Sequence, residues 1–254
     1  MKKIMLDAGH YANYNQSTVI PEYWESRRMW LLCELLQEEL TDYGFAVFKT
    51  REDVESDLPV YERGKLASGC DLFISLHSNA CDTESVNRVD VYAAYDNLNN
   101  SHELGLLLAK SVAELMGVSG GYVKTRKSDN AEDEYYGVLR GARRVGCPLF
   151  YIIEHSFHTN EKATRWLLDD ANLKKLAKLE AAVIATYYGI KPKLVKGDVN
   201  MNGELDSEDI LLIKRAYFGT FLLTAEQKEL ADMDNNGEID SFDYILAKRK
   251  YFSN

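Results

Sequence analysis

The chain has 254 residues, 46% of them hydrophobic, and a formal net charge of -10. That length suits one medium domain plus a small one, and that apolar fraction excludes wholesale disorder. The acidity argues against nucleic acid and anionic membrane surfaces as partners.

The predicted elements begin with a strand over 3–7. A helix follows from Trp24 to Tyr43, with Met29, Leu32, Cys33, Leu36 and Leu40 at helical spacing and Gly44 as its stop. Strands are expected at 45–48, 71–76, 89–95 and 149–153, and helices at 101–116 and 172–188. The nearly continuous apolar run at 71–76 indicates a sheet covered on both faces. This alternation predicts an α/β fold, a three-layer sandwich around a mostly parallel sheet, over residues 1–190. The polar stretch 120–136 reads as a loop shaping a groove. No apolar run reaches transmembrane length. Met1-Lys2-Lys3 leads directly into Ile4-Met5-Leu6, too short for the core of a signal peptide, so none is expected here. Cys33, Cys70, Cys81 and Cys147 form no CxxC pair, and Cys33 and Cys70 read as buried thiols.

A linker over 191–196, containing Pro192, separates this unit from a different pattern at 197–254. Residues 196–254 hold 7 Lys/Arg and 12 Asp/Glu, so half of the net charge falls in under a quarter of the chain. Asp198-Val-Asn-Met-Asn-Gly-Glu-Leu-Asp-Ser-Glu-Asp209 returns 34 residues later as Asp232-Met-Asp-Asn-Asn-Gly-Glu-Ile-Asp-Ser-Phe-Asp243. Calcium requires six to eight oxygens, and a twelve-residue loop supplies them from positions 1, 3, 5, 7, 9 and 12, with Gly at 6 for the turn. The first copy offers Asp198, Asn200, Asn202, the Glu204 carbonyl and Asp209, with Asp206 near or through a water. The second offers Asp232, Asp234, Asn236, the Glu238 carbonyl and Asp243, with Asp240 likewise. Position 12 is Asp where an ordinary EF-hand has Glu, each loop lacks a full preceding helix, and each following helix carries Lys-Arg, at 214–215 and 248–249. These features resemble a type I dockerin. The resemblance implies a small all-α module folded around two structural Ca²⁺ that docks onto a cohesin of a scaffolding protein, as in a cellulosome. Its surface would include Ser207, Glu208, Lys214 and Arg215 in one copy and Ser241, Phe242, Lys248 and Arg249 in the other. Calcium affinity of this class suits an extracellular setting.

In the first unit, His10 follows the first strand and His77 ends another. Ligands collect outside the carboxyl ends of strands in open α/β sheets, so the two histidines can converge on a metal. A third ligand would be Glu22 or Glu25, both near the start of the first long helix, where a carboxylate also complements the helix dipole. Glu154 ends the most apolar strand, where burial would raise its pKa towards that of a general acid/base.

The strings LDAGH (6–10), Glu25 at a helix start, Thr50-Arg51, DLFISLHSNA (71–80) and IIEHSFHTN (152–160) resemble, in collinear order, the zinc-dependent N-acetylmuramoyl-L-alanine amidases of the Amidase_3 type. The resemblance implies one catalytic Zn²⁺ on His10, Glu25 and His77. Glu25 is preferred to Glu22 because its distance to Thr50-Arg51 matches the family's helix-plus-strand unit. It further implies Glu154 as the catalytic carboxylate, Asn79 and Arg140 beside the substrate, and bacterial peptidoglycan as the substrate, cleaved between N-acetylmuramic acid and L-alanine. Tyr11-Ala12 stands where the family usually has Gly-Gly. His155-Ser156 stands where it usually has Thr-Gly, and His155 and His158 either line the cleft or pack. Two alternatives share these features: another zinc amide hydrolase, such as a carboxypeptidase or deacetylase, and a degenerate wall-binding module whose working part is the dockerin. An extracellular or wall-associated location follows from either metal-binding unit.

Overall fold

The apolar runs form β1 (Lys3–Ala8), β2 (Ala46–Lys49), β3 (Leu72–Asn79), β4 (Val89–Tyr92) and, beyond a short β5 (Gly121–Lys124), β6 (Leu149–Phe157). They make one six-stranded sheet in the order β2-β1-β3-β6-β4-β5. Every pairing is parallel except β4 with β6. The computed structural model describes residues 1–129, 132–191 and 195–253. Its contacts divide the chain into two compact units, Met1–Ile190 and Lys191–Asn254. Pro192, in the expected linker, lies outside the described residues.

In the first unit, α1 (Glu25–Asp42), α3 (Ser101–Met116) and α6 (Asp170–Tyr187) cover one face of the sheet. The expected stripe Met29, Leu32, Cys33, Leu36 and Leu40 is fully buried there against Ile4, Leu6, Ile74 and Ile153. The other face carries α2 (Val60–Lys65) and α4 (Gly137–Arg144), over Met5, Phe73, Phe150 and Ile152. The result is a three-layer α/β sandwich. The polar stretch 120–136 is not all loop, because β5 pairs with β4 as the sheet's edge strand. Further pieces absent from the sequence reading are α2, α4 and α5 (Glu161–Leu168). All four cysteines are free thiols.

The second unit contains α7 (Ser207–Tyr217), α8 (Ala225–Ala231) and α9 (Ser241–Ser253). The second loop therefore does have a short helix before it. Its core is small and obeys the 34-residue repeat: Val199 and Met233, Leu205 and Ile239, and Ile213 and Ala247 occupy equivalent places. No helix among the described residues is long and apolar enough to cross a membrane.

The helices α2 and α4 meet backbone to backbone through two glycines. A Cβ on Gly64 would lie 2.0 Å from the Val138 carbonyl oxygen, and one on Gly141 would lie 2.2 Å from that of Tyr61. Gly141→Ala should therefore force the helices apart and destabilise the unit by about 1–3 kcal/mol, the usual cost of overpacking. Urea unfolding of the full chain measures this.

Candidate metal centre

Three adjacent strands bring the site together. β1, β3 and β6 run parallel, so their carboxyl ends open on the same side. His10 follows β1, while His77 and Glu154 are register partners on β3 and β6 and share a face of the sheet. Glu25 arrives from outside the sheet as the first residue of α1. No side chain caps that helix; instead the Glu25 and Ser26 amides donate to the Asn15 and Tyr14 carbonyls. The segment 11–24 thus acts as a strap that sets the helix start. Ser26 Oγ ties it further by donating to the Ala12 carbonyl at 2.6 Å.

Glu25 is 1% exposed, whereas Glu22 faces solvent. Glu25 Oε1 lies 2.9 Å from His77 Nδ1 and accepts from the Ser78 amide at 3.0 Å; Oε2 lies 3.3 Å from His10 Nε2. One donor atom from each of His10, Glu25 and His77 falls within 4.8 Å of the others. Burial disfavours the Glu25 charge, but its hydrogen bonds to His10 and His77 outweigh burial and hold the carboxyl well below the usual range. A buried carboxylate between two imidazoles needs cations beside it, either protons or a metal. Two nitrogens and one carboxylate are a donor set that suits zinc and leaves a fourth position open. The site is also shaped for this: a Cβ on Gly9 would come within 2.4–2.7 Å of three ring atoms of His77, so only glycine lets the imidazole lie there.

Glu154 faces this cluster from β6. Its Oε2 is buried with no hydrogen-bond partner among the described residues. Burial, reinforced by the charge of Glu25, pushes its carboxyl up to about 8.

Beyond Glu154 the strand is irregular. His77 pairs with Glu154 but Asn79 pairs with Phe157, so β6 carries one extra residue. Ser156 has φ +62° in this bulge, and Ala12 in the strap has φ +45°. Both conformations favour glycine, and both stand where the family resemblance leads one to expect it. His155, the residue after Glu154 on β6, points to the other side of the sheet. There, fully buried, it donates from Nδ1 to the His77 carbonyl at 2.9 Å and pairs through Nε2 with Glu180 Oε1 at 2.8 Å. His158 is also buried, donates from Nδ1 to the Ser78 carbonyl and stacks on Tyr23. Burial holds its imidazole below the usual pKa. Of the two options open in the sequence, both histidines pack.

Asn79 and Arg140 do not hydrogen-bond to the His10–Glu25–His77 group among the described residues. Asn79 Oδ1 accepts from the Ala80 amide, and Arg140 donates to the Glu134 and Tyr135 carbonyls. Asn15 was missed in the sequence. Its amide donates to Glu25 Oε2 at 2.7 Å and lies 3.0 Å from His10 Nε2. Nothing distinguishes it in a polar loop read without coordinates.

The two loops of the second unit share most of their hydrogen bonds, but Asp209 accepts from the Asn200 amide whereas Asp243 accepts from that of Met233, one place earlier in the repeat. Asp198 accepts from the Asn202 and Gly203 amides, and Asp232 from those of Asn236 and Gly237. The last residue of each loop, Asp209 or Asp243, is buried and accepts from residues 200 and 206, or 233 and 240. Oxygens of Asp232, Asp234 and Asp243 converge within 4.8 Å. Asp206 spends its side chain capping α7, where it accepts from the Glu208 and Asp209 amides. Asn200 and Asn202 turn their Oδ1 atoms onto the Asn202 and Glu204 amides, as Asp234 and Asn236 do in the second copy.

Residues 4–186 match the model of the N-acetylmuramoyl-L-alanine amidase family, Amidase_3. The chain belongs to that family. Residues 196–250 match the dockerin type I domain. No curated protein sequence matches the chain. Among solved structures, the amidase unit resembles the catalytic domain of CwlV from Bacillus (Paenibacillus) polymyxa var. colistinus, with 20% identity over 75% of this chain and 100% of that one, at a TM-score of 0.64. It also resembles an N-acetylmuramoyl-L-alanine amidase from Clostridium difficile 630, with 18% identity, 74% and 97% coverage and a TM-score of 0.63. A third is AmiC2 of Nostoc punctiforme, with 18% identity, the same coverages and a TM-score of 0.61. At these identities the likeness bears on the fold.

The raised Glu154 carboxyl makes the amidase unit sensitive to pH. In protein stripped of metal, folding takes up a proton at Glu154 between the ordinary value of 4.5 and about 8. That contribution to stability is complete below the lower value and is lost as pH rises through the upper one. Relative to Glu154→Gln, which lacks the titration, the wild type should lose stability from about pH 5 to 8. Urea unfolding of both proteins across that range checks the difference.

Proposed function

We propose that this protein is a zinc-dependent peptidoglycan amidase that hydrolyses the amide between the lactyl group of N-acetylmuramic acid and the L-alanine of the stem peptide. The observation that carries the proposal is the meeting of His10, Glu25 and His77 beside the half-buried Glu154 in a unit of this family. His10, Glu25 and His77 would hold the ion. When bound, zinc supplies a Lewis acid that polarises a carbonyl and makes water a nucleophile near neutral pH. Glu154 does the proton work. Its unpartnered Oε2 takes a proton from the attacking water and returns it to the departing alanine nitrogen. The Ser78 amide holds Glu25 in place from below, and the strap keeps it at the helix start. Asn79 and Arg140, which the family resemblance sets beside the substrate, are the substrate-positioning candidates.

The second unit is read as the tether. Domain limits of 1–190 for the amidase and 197–254 for the dockerin, joined by 191–196, fit this division of labour. Two calcium ions would be held by Asp198, Asn200, Asn202, Asp209 and the Glu204 carbonyl, and by Asp232, Asp234, Asn236, Asp243 and the Glu238 carbonyl. Exposed apolar residues repeat at the 34-residue offset: Leu211 and Ile245, Tyr217 and Tyr251, Phe218 and Phe252. Such duplicated apolar faces on α7 and α9 support docking to a cohesin on a scaffold outside the cell. Position 208 is Glu and position 242 is Phe, so the faces differ at one edge.

Glu154→Gln should retain zinc and lose about 10²–10⁴ in rate. Mass analysis of muropeptides should show free stem peptides beginning with L-alanine for the wild type only. Near-full activity in the variant, or cleavage elsewhere in the wild type, overturns this reading. Calcium chelation should separately unfold the second unit, whose apolar core is too small to stand without ions. Circular dichroism should then lose the α7–α9 contribution, and cohesin binding should disappear.

A further inference from the structure

Behind His77 runs a chain of buried polar groups that the proposed reaction does not use. Asp7 and Ser75 are register partners on β1 and β3, so their side chains sit side by side, and His77 follows two residues on along the same face. Asp7 is 2% exposed and Ser75 is 0% exposed. Asp7 accepts two hydroxyl protons, from Thr50 Oγ1 at 2.6 Å and from Ser75 Oγ at 2.7 Å. Arg63 Nη1 lies 3.7 Å from the same carboxylate. Ser75 Oγ also lies 3.1 Å from His77 Nε2.

We propose that Asp7 and Ser75 are positioning residues that set the tautomer of His77, leaving Nδ1 as the nitrogen offered to the metal. The argument is one of hydrogen-bond polarity and rests on the zinc site proposed above. A serine hydroxyl has a single proton to give. Here it goes to Asp7, because a carboxylate can only accept. Ser75 Oγ must therefore accept from His77, which places the ring proton on Nε2. With zinc bound, a neutral imidazole carries one N–H, so Nδ1 would keep its lone pair for the ion; without zinc a proton takes the ion's place, in the 2.9 Å hydrogen bond from Nδ1 to Glu25. Gly9 adds a mechanical lock, since the ring lies against it where a Cβ would be. Metal-bound histidines generally donate their second N–H to an oxygen that fixes orientation and raises ligand basicity. In this chain that oxygen is a hydroxyl, itself polarised by a buried carboxylate.

The test compares Ser75→Ala and Ser75→Thr with the wild type in the full-length chain. Zinc affinity is measured by chelator competition, and the His77 tautomer by ¹⁵N NMR of histidine-labelled, zinc-loaded protein. The wild type should show the proton on Nε2. Ser75→Ala should bind zinc about 10- to 100-fold more weakly, and Ser75→Thr, which keeps the hydroxyl, should recover most of the loss. A His77 proton on Nδ1 in zinc-loaded wild type overturns the proposal even if Ser75→Ala fails to fold. So does unchanged zinc affinity in Ser75→Ala. A wild type that takes up no zinc overturns the zinc site and the positioning role together, which separates failure of that reading from failure of the relay alone.

Discussion

The amidase unit is organised around one buried negative charge. Glu25 sits between two strand ends and is almost wholly removed from water. A carboxylate in that position costs several kcal/mol unless its surroundings compensate it. The compensation comes from four directions: His10, His77, the Ser78 amide and the Asn15 side chain. Remove the charge and these groups lose their reason to converge. In the metal-free protein the same charge adds to the burial that raises the Glu154 carboxyl. One residue thus gathers the proposed metal donors and raises the carboxyl proposed to carry the proton.

Holding Glu25 there requires unusual backbone on both sides. His10, just before the strap, and Ala12 and Asn15 within it are left-handed, and the β6 bulge contains one such residue at Ser156. A left-handed conformation costs a non-glycine residue about 1–2 kcal/mol. At Ala12 and Ser156 the side chain has changed from the glycine typical of the family while the backbone has kept the conformation a glycine would adopt. Ser156 recovers part of the cost through its Oγ bond to Asn87 Oδ1. Just before the bulge, His155 bonds to Glu180 and to the His77 carbonyl, bracing β3 beside His77.

Much of this was legible in the sequence where chemistry and burial act together. The strands at 3–8, 72–79 and 149–157 declare themselves because both faces are covered, so their residues are apolar without alternation. The paired acidic loops are legible because every candidate donor lies within twelve residues. Other parts were hidden for identifiable reasons. The helices α2 and α4 are short, and α2 buries Arg63 and Gly64 where an apolar stripe would have declared it. β5 is a four-residue edge strand containing polar residues. Glu22 and Glu25 differ by less than a helical turn, and only the path of the strap decides which is buried. Asp7 and Ser75 carried a signal that composition alone does not weigh: polar residues inside otherwise apolar strands.

The two proposed metal sites also differ in how the chain must reach them. Each calcium loop is closed by residues within one short segment, so its donors can meet early, before distant parts of the chain are in place. The His10–Glu25–His77 set spans two crossovers and a parallel pairing, and exists only after β1 and β3 have found their register. Parallel pairing of this kind is slow and exposes apolar edges while it waits. Metal capture would therefore be a local event at one end of this chain and among the last events at the other.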